Sequence, residues 1–203
     1  NGEKEEALKL SLKAINYSKK NNNIFAEIEW NNQTGKILKS NHDFTNALKY
    51  YNIAKELSEQ TNDSLTIARC IFNIGSLNNL EYASASYNAG DTEVKKEIRT
   101  LAINQFEYIL FHFKETKGKE EIFAKIYANL TGLYSYTENN KKSDIAAHKA
   151  IEYFTKLKDT ISIIGVQSNL GVSQIYRKEY EKAEKNFLLA IPFLKDTSNQ
   201  RIL

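Results

Sequence analysis

The residues able to do acid-base, nucleophilic or metal chemistry are few and scattered. His42, His112 and His148 stand far apart in a chain of 203 residues, and the single cysteine, Cys70, has no histidine beside it. Metalloprotease chemistry needs two imidazoles one helical turn apart with a carboxylate between them, and an activated nucleophile needs a base within hydrogen-bond reach. The chain has no HExxH, no paired Cys and His, no glycine-rich phosphate loop and no nucleophile elbow. His42 falls in the short polar turn Asn41-His42-Asp43, where it reads as solvated or capping. Cys70 rules out an internal disulfide and reads as a small buried group on a helix. No catalysis, metal or cofactor is expected. The chain reads as one that binds.

Composition narrows what it binds. With 41% hydrophobic and 26% charged residues, 8 Gly and 1 Pro, it is an ordered helical sequence, not a disordered one. A net charge of +3 makes no case for nucleic acid or an acidic membrane surface. The longest apolar patches, Tyr108 to Phe111 and Ile161 to Val166, fall far short of the roughly 20 residues of a membrane span. The chain has no Met and no signal peptide, and its amphipathic pattern is already running at Glu5, so it reads as a fragment or processed product.

Helical periodicity runs throughout. Ala7, Leu8, Ser11, Leu12, Ala14 and Ile15 mark a helix over residues 1–20 that looks like the second of a pair. Asn23 is the expected N-cap of a helix from Ile24 to Ser40, followed by one from Phe44 to about Glu59 carrying Ala47, Tyr51 and Ala54. Asp63 opens the next pair, whose second stripe (Ala102, Phe106, Ile109, Phe113) arrives about 15 residues late. Two lengthened helices follow from this, about Asp63 to Tyr87 and Thr92 to Glu115. They join at Asn88-Ala89-Gly90-Asp91, with Asp91 as cap, and are zipped by Leu77, Leu80, Ala83 and Tyr87 against Val94, Ile98 and Leu101. Lys117-Gly118-Lys119 closes that unit. Helices then follow over Glu120 to Tyr136, after a longer polar turn at Asn139 to Lys142 with Ala146, Ala150, Tyr153 and Leu157, and from Asp159 to Leu194.

The offsets between helices argue against chance. Cap to glycine is 12 residues from Asn23 to Gly35, Asp63 to Gly75 and Asp159 to Gly171. Thr34 to Ala47 and Leu170 to Ala183 are both 13. Small and large residues placed so regularly on consecutive helices describe pairs that lie very close and bury their apolar face by stacking on neighbours.

Leu170, Gly171, Ala183, Phe187 and Ala190, and less completely Gly35, Ala47, Tyr51 and Ala54, resemble the tetratricopeptide repeat family. Gln174 stands where an aromatic is usual and Thr131 where Gly is usual; Pro192 lies inside a helix, where it forfeits one hydrogen bond. The resemblance implies an all-α fold, a right-handed α-α superhelix of about nine helices with one lengthened hairpin. Its units would be residues 1–20 (second helix of a truncated repeat), 23–60, 63–116, 119–157 and 159–195. Residues 196–203 would start a further repeat, because Lys195-Asp196-Thr197 echoes Lys158-Asp159-Thr160 and Arg201-Ile202-Leu203 would open its first helix.

The period of about 37 to 40 is similar to arrays in the sensory regions of Bacteroidetes-type histidine kinases and transcriptional regulators, which implies an extracytoplasmic location in preference to a cytoplasmic one. In such arrays the first helices line a groove. The implied groove positions are Glu29, Asn32, Gln33 and Lys36; Arg69, Phe72, Asn73 and Ser76; Lys125, Ala128, Asn129 and Gly132; and Gly165, Ser168, Asn169 and Val172. The row Gln33, Asn73, Asn129 and Asn169 offers amide donors and acceptors suited to a peptide backbone, or equally to bonds with neighbouring helices and water. Lys36, Arg69 and Lys125 would favour acidic groups, or simply be solvated. Trp30 and the tyrosines read as inter-helix core in preference to ligand anchors. The expected partner is a protein or peptide, with no nucleic acid contacted. The alternative is a scaffold or homodimer formed through the Leu77 to Leu101 hairpin.

Overall fold

The computed structural model describes residues 2–86, 93–114 and 116–194. Among them are nine helices: α1 (Gly2–Lys20), α2 (Ile24–Ser40), α3 (Phe44–Ser58), α4 (Ser64–Ser86), α5 (Glu93–His112), α6 (Glu120–Tyr136), α7 (Asn140–Lys156), α8 (Thr160–Tyr176) and α9 (Tyr180–Leu194). The described residues include no strand, so the fold is all-α as expected. The chain forms two compact units, Asn1–Lys117 with α1 to α5 and Gly118–Leu203 with α6 to α9. Within each unit every helix packs on the next.

One turn geometry recurs. Asn22, His42, Asn62, Glu138, Lys158 and Lys178 all have φ between 50° and 61°, and Gly118 has φ 71°. Each stands one residue before the next helix's cap position. The N–H groups of Asn23, Asp43, Asn139, Asp159 and Glu179 reach back five residues to the carbonyls of Ser18, Leu38, Tyr134, Phe154 and Gln174, the longer bond of the Schellman motif. The side chains of Asn23, Asp43, Asn139 and Asp159 meanwhile accept from the first turn of the following helix. One residue thus closes one helix and opens the next. Asp63 caps α4 through the Leu65 N–H, so Asn23, Asp63 and Asp159 cap as the sequence indicates. The polar run from Asn139 to Lys142 is not a longer turn, because Asn139 is already the cap and α7 starts at Asn140. The Asn88 to Asp91 turn, Tyr87 and residues 195–203 lie outside the described residues.

Close packing explains the glycines. A Cβ on Gly35 would sit 2.4 Å from Tyr51 Cε1, on Gly75 2.7 Å from Phe106 Cε1, and on Gly171 2.8 Å from Phe187 Cζ. In each pair the aromatic of the second helix lies directly on the backbone of the first. Ala47, Tyr51 and Ala54 on α3, and Ala102, Phe106 and Ile109 on α5, are fully buried. Ser11, Ile15 and Ser18 form the buried stripe of α1.

The third pair inverts the arrangement. Thr131 stands at the glycine position and Ala147, 16 residues on, at the aromatic position, both buried. Ser143 Oγ donates to the Thr131 carbonyl (2.8 Å). The buried stripe of α7 is therefore Ser143, Ala147, Ala150 and Phe154. Of the expected stripe, Ala146 and Ala150 are buried, but Tyr153 is only half-buried and Leu157 is exposed. With no aromatic at 147 the apolar pattern misleads by three residues.

The lengthened hairpin is present: α4 has 23 residues and α5 has 20, against 17 and 15 in α2 and α3. Gly75 to Phe106 is 31 residues, where Gly35 to Tyr51 is 16, and both pairs make the same contact. α5 ends at His112, short of the expected Glu115. Leu77 is buried, but Leu101, next to Ala102 of the buried stripe, is 55% exposed. The side chains of Leu80, Ala83, Val94, Ala190, Pro192 and Leu194 are outside the described residues.

Tyr51 carries a polar atom into this packing. Its hydroxyl is buried with no hydrogen-bond partner, and burial pushes its pKa above the usual tyrosine range. Phe106 and Phe187 occupy the same place without a hydroxyl. Tyr51→Phe is expected to stabilise the protein by about 1 kcal/mol, by removing an unsatisfied group. The raised pKa means that the unfolded chain ionises first, near pH 10, so wild type loses stability as pH rises through that range. Denaturant unfolding at pH 7 and pH 10.5 checks both points: the advantage of Tyr51→Phe should widen at the higher pH.

Candidate functional site

α2 and α4 touch in the first unit, and α6 and α8 touch in the second, so the first helices of neighbouring pairs form a shared face in each unit. In the first unit this face has a buried polar seam. Asn32 is 5% exposed; its Nδ2 donates to Cys70 Sγ (3.4 Å) and its Oδ1 accepts from Asn73 Nδ2 (2.8 Å). Asn31 is buried too and donates to the Glu27 carbonyl of its own helix. Burial pushes the Cys70 thiol above its ordinary range, against a smaller lowering effect of the Asn32 bond.

Outside the seam, Glu29, Lys36 and Arg69 are exposed, and Gln33, Asn73 and Ser76 are half-buried. Gln33 Nε2 donates to Glu29 Oε1. Phe72 packs on Phe106 with ring centroids 5.8 Å apart, so its ring belongs to the hairpin contact. Burial, and then the Lys36 ammonium, hold Lys39 below the usual lysine range. Trp30, read as core, is 40% exposed. Its backbone carbonyl accepts from Thr34 Oγ1, and Thr34 in turn reaches Ser11 of α1.

In the second unit, Lys125 is exposed and pairs with Glu121 one turn earlier. Asn129 Nδ2 donates to the Lys125 carbonyl (2.8 Å), Ala128, Gly132, Gly165 and Ser168 are half-buried, and Asn169 and Val172 are exposed. α6 and α8 meet at Ser135 and Ser173, whose hydroxyls share a hydrogen bond. Arg177 ties the α8 to α9 turn to α7 through Asp144 (2.8 Å).

The four amides are therefore not equivalent. Asn73 spends a donor on the neighbouring helix, Gln33 and Asn129 spend theirs within their own helices, and Asn169 faces solvent.

The histidines stay apart. His42 stacks edge-on against Phe44, His148 Nδ1 meets the Asp144 carbonyl, and His112 lines a polar cleft of about 450 Å³ with Asp63 and Lys117. Among the described residues there is no group of three metal-ligating side chains, and no helix long and apolar enough to cross a membrane.

Sequence reasoning missed one feature. α3 and α5 flank α4 in the first unit with no Cα approach within 8 Å among the described residues. Between them lies a cleft of about 620 Å³ floored by Ile67 and Ile71 and walled by Leu101, Tyr108 and Phe113. In sequence these residues look like any helical core stripe; only the separation of α3 from α5 opens the space.

No protein-family model matches the chain, and no curated protein sequence does. Solved structures match in 37 chains. Among them is the crystal structure of BtubC (BKLC) from P. vanneervenii, 16% identical, with a TM-score of 0.72 over 92% of this chain and 73% of that one. At that identity the likeness speaks for the helical fold.

Proposed function

We propose that the chain is a polypeptide-binding module of the tetratricopeptide type, serving as the sensory or regulatory region of a larger bacterial signalling protein. The observation that carries this reading is the division of labour on α2 and α4. Ile28 and Leu38 of α2 and Ile74 and Leu77 of α4 are buried in clusters with α3, while Glu29, Lys36 and Arg69 stay exposed beside half-buried Gln33, Asn73 and Ser76. A face of this kind presents charge and amide groups at a helical repeat to an extended or helical segment. Lys125, Ser168 and Asn169 supply the corresponding groups on α6 and α8.

The test is selection of peptides from a random display library on the purified chain, followed by anisotropy titration of the selected sequences. Arg69→Glu and Lys125→Glu change exposed groups and should leave thermal unfolding within about 0.5 kcal/mol of wild type. Each is expected to weaken peptides selected on its own unit by about tenfold. Selected peptides that bind both variants as tightly as wild type would remove this face from the account. Asn73→Ala is a poorer probe, because it also strips the bond to buried Asn32.

A further inference from the structure

The polar seam beneath the α2 and α4 face is one directed chain of hydrogen bonds running from α3 to the surface. It starts at Ser58 of α3, fully buried, whose hydroxyl donates to the Lys55 carbonyl (2.7 Å). With its proton committed there, the Ser58 oxygen is left to accept, and the side chain in hydrogen-bond contact with it is that of Cys70. Burial pushes the Cys70 thiol up, so the sulfur keeps its proton at neutral pH and donates it to Ser58. The sulfur lone pairs then accept from Asn32 Nδ2 (3.4 Å). With that end of its amide on Cys70, Asn32 turns its Oδ1 the other way, where it accepts from Asn73 Nδ2 (2.8 Å).

The direction of this chain cannot be reversed piecemeal. Turning the Asn73 amide over would set its Oδ1 against the Oδ1 of Asn32, and turning both would set an acceptor against the sulfur. The far end is a backbone carbonyl, which only accepts. Asn73 is the member that reaches the surface: it is half-buried, with Arg69 four residues before it and Ser76 three residues after it on one side of α4. Its Nδ2 is committed to Asn32, while its Oδ1 accepts from no group among the described residues. The relay therefore ends in an acceptor presented to whatever lies on the face. The Arg69 guanidinium one turn earlier disfavours a lysine or arginine as the donor, whereas a main-chain N–H carries no charge. In a helix the N–H groups beyond the first turn are already bonded, so a segment with a free N–H to offer is extended.

We propose that Asn32 and Cys70 are positioning residues: they hold the Asn73 amide with Oδ1 outward, so that the α2 and α4 face takes an extended polypeptide whose main-chain N–H donates to it. This rests on the polypeptide reading of that face. The probes are peptides selected from a random display library on the purified chain and weakened by Arg69→Glu, each remade with an N-methyl group at one residue at a time. In wild type one N-methyl position should weaken binding at least about tenfold. Asn32→Leu combined with Asn73→Leu exchanges both amides for apolar side chains of similar shape, and the penalty at that position should fall below about twofold. Cys70→Ala frees the Asn32 and Asn73 pair to turn over, so the penalty should shrink at least about threefold. Cys70→Ser keeps a donor and an acceptor and should keep the wild-type penalty. A merely structural role for Cys70 would weaken parent and N-methylated peptides alike and leave their ratio unmoved; thermal unfolding confirms that each variant folds. Peptides weakened by Arg69→Glu that have no sensitive N-methyl position, or one indifferent to the double leucine variant, overturn this inference and leave the reading of the face standing. An unmoved ratio in Cys70→Ala overturns the positioning role. A library that yields no peptide weakened by Arg69→Glu removes the reading of the face and this inference together.

Discussion

Gly35→Thr is expected to destabilise the first unit by at least the upper end of the about 1–3 kcal/mol typical of overpacking. The new Cβ would fall 2.4 Å from the Tyr51 ring, and Tyr51 is fully buried with no empty side to move into. Tyr51→Ala alone removes a core aromatic and should cost about 3–5 kcal/mol. Combined, the two losses should not add, because the third helix pair already runs with threonine and alanine at these places, Thr131 and Ala147, both buried. A double-mutant cycle in urea should therefore give the double variant about 2 kcal/mol or more of recovered stability relative to the sum. Strict additivity would mean that the two positions are not one contact.

The second large effect is expected at Phe106. This ring is fully buried, lies on the backbone of Gly75 and packs against Phe72, so it holds α5 to α4 below the lengthened arms. Phe106→Ala should cost about 3–5 kcal/mol, whereas Leu101→Ala, five residues earlier and exposed, should cost under about 0.5 kcal/mol. Cys70 provides an internal reporter. It is fully buried on α4 and its thiol is pushed up by burial, so it presents little thiolate at pH 8. Thiol labelling of folded wild type should be slow, and Phe106→Ala should accelerate it by exposing Cys70 through opening of the helix pair. Equal labelling rates in the two proteins would show that the ring does not hold α4 in place.

What was legible in the sequence was what repeats locally. Asn23, Asp63 and Asp159 announce helix starts because a cap acts within three residues of itself, and Gly35 and Gly171 announce close contacts because the aromatic follows at a fixed 16. The register of α7 was hidden because Thr131 and Ala147 trade sizes, so neither member of the usual signal is present. The candidate face was legible as a set of positions but not as a set of roles. Asn32 bonds to Cys70 and Asn73 across 38 and 41 residues, and no periodic rule says which amide becomes mortar between helices and which faces solvent. The α3 to α5 cleft was illegible for a related reason: the space depends on how far apart two helices stand, which apolar spacing does not encode.

The turns in which one residue ends a helix and begins the next leave the chain no slack at its corners. A single residue added there would rotate the following helix by about 100° and turn its buried stripe outward. Length can then enter along the arms, beyond the Gly75 to Phe106 contact. The described part of each arm is six residues longer than in the α2 to α3 pair, between one and two turns at 3.6 residues each, and the Gly75 to Phe106 contact is kept. Matched additions to the two arms lengthen the protrusion while the packing at its base keeps its phase, so evolution or a designer can vary the reach of this hairpin without renegotiating the core.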